Sequence, residues 1–194
     1  MSAEIELKFP VDEPSSLPSR LASLGFHLDT PRTFEQNTLY DTAERSLKAR
    51  GQVLRLRRYG LRQVLTHKRH PDQEDLNSPY KVRIETETEV GDLDAMAEVF
   101  AQLGYQPAFR YEKYRTEWSA ADVPGAHVVL DETPIGFYAE LEGPTEWIDR
   151  TLVQLGIDPG TCLTQSYGKL FLKWKEQTGS SVENLTFDEI LQPA

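Results

Sequence analysis

The chain has 194 residues, enough for one domain with a sizeable buried core. Its formal charge of -10 and pI near 4.9 argue against a general nucleic-acid or anionic-membrane surface and confine any basic site to a local patch. No apolar run approaches a membrane span, no charged-then-apolar leader opens the chain, and the single cysteine, Cys162, precludes an internal disulfide, so a cytoplasmic protein is expected.

The first strand is expected over 3–9, where Glu4, Glu6 and Lys8 share one face and Ile5, Leu7 and Phe9 the other. A helix follows with Leu17, Leu21 and Leu24 at helical spacing, stopped by Gly25. Strands are next expected over 33–41, 52–59 and 62–69. In the second of these, Arg55 and Arg57 oppose Leu54 and Leu56; in the third, Thr66 and Lys68 align, and Gly60 marks the hairpin turn between the two. Pro71 to Pro79 reads as a polar loop. The strand at 80–89 turns Lys81, Arg83, Glu85 and Glu87 away from Val82 and Ile84.

A second helix, from about Leu93 to Leu103, carries Met96, Val99, Phe100 and Leu103 on one stripe and stops at Gly104. Strands at 107–118, 127–132 and 136–142 bring Lys113 with Arg115, then Asp131, then Glu140 with Glu142. Helices are expected over 145–155 and 165–177, the latter with Tyr167, Leu170, Phe171 and Trp174 as a core stripe. Residues 178–194 form a tail, either docked as a short helix or loose. The first two helices run into Leu-Gly-Phe and Leu-Gly-Tyr, each followed by a strand, which hints at two related halves.

One alternating strand reads most simply as a solvated face. The recurrence, however, is sorted by sign: carboxylates gather on the first and last strands and most cations on the middle ones, whereas a solvated face mixes them. A closed antiparallel barrel joins the first strand to the last and sets Glu4 and Glu6 beside Glu140 and Glu142. Such a cluster of oxygens, without paired cysteines and with four scattered histidines, suits magnesium or manganese rather than zinc. Two like charges about 4 Å apart repel by on the order of 4 kcal/mol at an effective dielectric near 20. Lys8, Arg55, Arg57, Lys68, Arg83, Lys113 and Arg115 would crowd the opposite wall and so call for a multiply charged anion, although Glu85 and Glu87 offset part of that charge. The expected fold is therefore α+β, a closed eight-stranded antiparallel barrel forming a tunnel, with helices packed outside. The domain covers 1–177 and the tail 178–194.

Glu4-Ile5-Glu6-Leu7-Lys8 resembles the Glu-x-Glu-x-Lys signature of the CYTH superfamily, or triphosphate tunnel metalloenzymes, which includes class IV adenylyl cyclases, thiamine triphosphatases and inorganic triphosphatases. Tyr40-Asp41-Thr42, Arg55-x-Arg57, Lys68, Arg83-x-Glu85, Lys113-x-Arg115, Asp131 and Glu140-x-Glu142 occur in family order, and Ser166-Tyr167 with Leu170 resembles a family helix. The resemblance covers about residues 1–175. It implies a tunnel binding triphosphate and divalent metal. Glu4, Glu6, Glu140 and Glu142 would be metal ligands with Asp131 nearby, and Lys8, Arg55, Arg57, Lys68, Arg83, Lys113 and Arg115 would hold phosphate oxygens. Within this set, Glu4, Glu6, Lys8, Lys68 and Arg83 would serve catalysis. Glu85 is expected to orient a basic neighbour, Tyr40 to pack the wall, and Lys169 to be solvated.

The expected activity is magnesium- or manganese-dependent hydrolysis of an inorganic, thiamine or nucleoside triphosphate. Conversion of ATP to cyclic AMP and pyrophosphate is the rival. Only three residues precede Glu4, whereas some cyclases of this class carry a longer leader with an aromatic residue, and this tilts the expectation toward hydrolysis. A non-catalytic polyphosphate or nucleotide binder has no use for four glutamates unless it binds metal, and a merely structural barrel would need near-complete ion pairing inside. Expected partners are the small-molecule triphosphate and, through an open strand edge or the Trp174 helix, a second copy of the chain; no nucleic-acid polymer and no membrane are expected.

Overall fold

A computed structural model describes residues 2–73, 75 and 78–191. Positions 74, 76 and 77 of the expected polar loop and 192–194 of the expected tail lie outside the described residues. The described residues form eight strands and several helices, beginning with β1 (Ser2–Pro10), α1 (Leu17–Ser23), β2 (His27–Asp41), α2 (Ser46–Ala49), β3 (Val53–Tyr59), β4 (Arg62–Arg69), β5 (Lys81–Glu89) and α3 (Leu93–Gln102). There follow β6 (Gln106–Ser119), β7 (His127–Thr133), β8 (Gly136–Glu142), α4 (Thr145–Gln154), α5 (Tyr167–Thr178) and α6 (Phe187–Leu191). No helix among the described residues is long and apolar enough to cross a membrane.

The strands close into one antiparallel barrel in the order β1-β5-β4-β3-β2-β6-β7-β8. Exchanging β1 with β5, β2 with β6, β3 with β7 and β4 with β8 maps this order onto itself, so the two halves are related by a pseudo-two-fold axis. Each half places a helix, α1 or α3, after its first strand. Every strand of the ring has a neighbour on each side, although β2 meets β3 only from Glu35 to Tyr40 and β6 meets β7 only from Tyr114.

The apolar faces of the strands point outward, against the helices. Leu7 and Phe9 of β1, Val128 of β7 and Leu141 of β8 pack with Leu17 and Leu21 of α1 and with Trp147, Ile148 and Leu152 of α4. On the opposite flank, Phe100 of α3 covers Tyr40 and Leu56. Tyr40 therefore packs the wall from outside, against α3. Burying the apolar sides under helices leaves the charged sides no outlet except the barrel interior.

Two features differ from the expectation, and a third decides between its alternatives. β2 begins at His27 rather than 33, since Pro31 is absorbed where the β2–β6 register shifts, between Thr30 and Thr33. α2 was not foreseen; it is four residues long and hangs on Asp41, whose Oδ1 accepts from the Leu47 amide at 2.8 Å and whose Oδ2 accepts from Lys48 at 3.0 Å. Buried Asp41 thus organises a turn. Third, the described tail is docked: the Leu185 amide donates to the Arg110 carbonyl at 3.0 Å, and Leu185 O accepts from Glu112 at 2.9 Å. These bonds use β6 residues that β7 does not reach, because the β6–β7 ladder begins at Tyr114.

Candidate active site

Side chains alternate across each strand, so the inward set is fixed once the outward set is packed. The interior holds a cavity of about 300 Å³ lined by Glu4, Glu6, Lys8, Arg55, Arg57, Lys68, Lys113, Arg115, Glu140 and Glu142, ten of the twelve residues expected to form the site. The other two, Arg83 and Asp131, take different positions. The Arg83 guanidinium donates to the Gly51 carbonyl at 3.2 Å, beside the turn that follows α2. Asp131 is fully buried behind the basic wall.

The carboxylates divide into two sets. Glu4, Glu6 and Glu142 each offer an oxygen, and these oxygens lie within 4.8 Å of one another. The arrangement follows from register, because Glu6 on β1 stands opposite Glu142 on β8 and Glu4 is two residues along the same face. Burial pushes the Glu142 carboxyl up, and the nearby Glu4 and Glu6 add to this against Arg115 and Lys68. For Glu6, burial also pushes upward, but Lys81, Lys8 and Lys68 outweigh it and hold the group at about 2. Three ionisable oxygens at this spacing, with no histidine or cysteine among them, fit a hard divalent cation such as magnesium or manganese.

Glu140 and Asp131 belong to the second set and stand apart from that triad, although both were expected near metal. Glu140 pairs with Lys8 through Oε1 and accepts from Arg115 Nη2 through Oε2 at 2.6 Å. Asp131 accepts from Lys113 Nζ at 2.8 Å, from Arg115 Nε and Nη2 at 2.7 Å each, and from the Tyr167 hydroxyl at 2.6 Å. With four donors at this range, Asp131 has little capacity left for a cation. These two acids act as counter-ions that fix the basic wall. Lys8 lies within it, 1% exposed; burial pulls its ammonium down to about 7, with Glu6 opposing.

Lys81, Tyr167 and Glu35 are among the interior residues missed from the sequence. Lys81 lines the cavity and donates to Glu6 Oε1 at 2.7 Å. Its alternation with Arg83 and Glu85 was visible, but the β1–β5 register that sets it opposite Glu6 was not. Tyr167, read as core stripe, turns its hydroxyl inside while its ring lies 4.1 Å from Lys8 Nζ and 5.0 Å from Lys113 Nζ. Glu35 on β2 is 0% exposed and accepts from Asn37 at 2.8 Å. Burial raises its pKa, yet Lys113, Arg115, Arg57 and Arg55 bring it to about 2. A charged Glu35 thereby offsets part of the charge of those four cations. Glu85 has the orienting position expected of it, 3.3 Å from Lys68 Nζ.

Comparison with known proteins adds a family. The family model for the CYTH domain matches residues 2–154. A protein of Methanocaldococcus jannaschii, provisionally named an adenylate cyclase, is 26% identical over 175 residues, covering 86% of this chain and 97% of that one. Among solved structures, a provisionally named adenylate cyclase from Vibrio parahaemolyticus superposes with a TM-score of 0.73 at 19% identity, covering 87% of this chain and 97% of its own. The Hippeastrum protein HpAC1, a provisional adenylyl cyclase described as having a dominant triphosphatase activity, gives 0.62 at 21% identity, covering 90% and 96%. At these identities the two structures establish a shared fold.

Proposed function

The chain belongs to the CYTH domain family, and from that premise we propose that it is a divalent-metal-dependent enzyme hydrolysing a linear triphosphate held inside the barrel. The observation that carries this reading is the opposition, within one cavity, of a three-carboxylate cluster and a wall of buried cations. A plain anion receptor gains nothing from Glu4, Glu6 and Glu142, whose mutual repulsion weakens anion binding unless a cation joins them.

In this reading Glu4, Glu6 and Glu142 hold magnesium or manganese, which when bound supplies charge neutralisation for phosphate oxygens and for the attacking water. Lys8, Arg55, Arg57, Lys68, Lys113 and Arg115 bind and align the phosphates. The positions of Lys8, Lys113 and Arg115 are set before substrate arrives, because Asp131 and Glu140 already tie them down. Preorganised charge of this kind carries most of phosphoryl transfer, where the protein has little covalent work to do. Water oxygen forms a bond to the attacked phosphorus, the bond to the bridging oxygen breaks, and the shorter polyphosphate leaves as the anion while the water proton passes to solvent.

A second reading is favoured by the cyclase names of the Methanocaldococcus and Vibrio relatives. In it the ribose 3′-hydroxyl of ATP attacks the α-phosphorus and pyrophosphate leaves, using the same cage. Purified protein incubated with magnesium or manganese and, separately, tripolyphosphate, thiamine triphosphate and ATP separates the two. Orthophosphate release supports hydrolysis, cyclic AMP with pyrophosphate supports cyclisation, and no turnover of any of the three with either metal contradicts both.

A further inference from the structure

The triad is engaged with cations of the chain itself. Lys68 Nζ donates to both oxygens of Glu4 at 2.7 Å and lies 3.3 Å from Glu85 Oε1. Lys81 Nζ donates to Glu6 Oε1 at 2.7 Å. Both lysines line the same cavity as the basic wall. Two ammonium groups carry the charge of one divalent ion, so exchanging them for a metal leaves the charge around the carboxylates unchanged. The exchange is also competitive, because an oxygen lone pair directed at an ammonium proton is not available to a metal.

We propose that Lys81 and Lys68 hold the carboxylate triad in competition with divalent metal, and that metal binding transfers both ammonium groups from the carboxylates to the anion in the same cavity. The inference rests on the reading of this cavity as a metal and triphosphate site. A lysine head on a flexible four-carbon stem can make such a swing, whereas a bidentate arginine fork would resist it. Lys68 keeps Glu85 as a second partner when Glu4 is taken, so Lys81, paired with Glu6, carries the larger share. Metal loading then raises anion affinity by uncovering cations as well as by adding its own charge, and by linkage the anion raises metal affinity by the same factor. A lysine that simply adds charge to the cavity would behave differently, strengthening anion binding equally with and without metal.

Titration calorimetry with imidotriphosphate, a non-hydrolysable analogue of tripolyphosphate, distinguishes the two on the full chain. Wild type, Lys81→Gln and Arg57→Gln are each measured in chelator and in Mn2+ exceeding both protein and ligand. Lys81→Gln is expected to match wild type within about twofold in chelator and to lose roughly tenfold in Mn2+, inside the usual range of coupling between sites. Arg57, whose ion pair is with Glu87 rather than the triad, serves as the contrast, losing affinity by the same factor in both conditions. Should Lys81→Gln not fold, Lys81→Met, which keeps the length of the stem, takes its place. Equal weakening of the Lys81 variant in both conditions, or none in either, overturns the transfer. Wild type that binds imidotriphosphate in neither condition instead refutes the proposed function, a result distinguishable from these.

Discussion

Glu4 and Glu6 share a face with Lys8, but their fates diverge: the two acids meet Glu142, and the lysine turns to Glu140. Replacing either acid by alanine is expected to lower metal-dependent turnover on the order of 100-fold or more, the scale of removing one preorganised electrostatic stabiliser. The outer apolar packing is untouched, so the far-UV circular dichroism spectrum should be that of wild type. Normal turnover in both variants would remove the metal assignment. Glu85 gives a pH test. Burial raises its pKa, Lys68 opposes, and Glu4 and Glu87 add repulsion, leaving it at about 7. An acid whose folded pKa lies above its unfolded value binds more protons folded than unfolded between the two, so stability falls as pH rises from about 4.5 to about 7. Glu85→Gln abolishes that slope. In chelator, melting temperature against pH should decline less across this window for the variant than for wild type; parallel curves would show that the carboxyl is not strained by its neighbours.

At the scale of elements, the docked tail holds α5 in place. Leu185 is 0% exposed and packs with Tyr111, Tyr167, Leu170 and Phe171, clamping the helix that carries Tyr167 against β6. Leu185→Ala is expected to destabilise by about 2–5 kcal/mol, the usual cost of a cavity left by a buried leucine. Urea denaturation should show a lower midpoint with unchanged slope; an unchanged midpoint would mean that the tail does not hold α5. The strands were most legible where charged and apolar residues alternate, as in β1, β3, β5 and β8; β7, with Val128, Val129 and Leu130 in succession, carries the pattern only weakly. The tail's pairing was not legible, since a single main-chain bridge at Leu185 leaves no periodicity to read. Nor was α2, which is too short for a helical repeat and depends on a capping aspartate rather than an apolar stripe.

For the molecule as a whole, the net charge of -10 conceals a cavity lining in which seven lysines and arginines stand against seven glutamates. Charge sorting along the chain revealed the two poles, but not which acid serves which. Glu140 and Glu142 are indistinguishable by alternation; the β1–β8 register, which puts one opposite Lys8 and the other opposite Glu6, assigns one to the basic wall and the other to the triad. The resemblance likewise sets Asp131 near the metal, whereas its four donors make it a counter-ion. Registers of this kind emerge from long-range closure and leave no local trace in sequence.

The most direct test is the anomalous difference map of crystals grown with Mn2+ and imidotriphosphate. The account predicts a manganese peak among the carboxylates of Glu4, Glu6 and Glu142, with phosphate density beside it against Lys8, Arg55, Lys113 and Arg115. Manganese bound elsewhere, or phosphates lying outside the barrel, would contradict it.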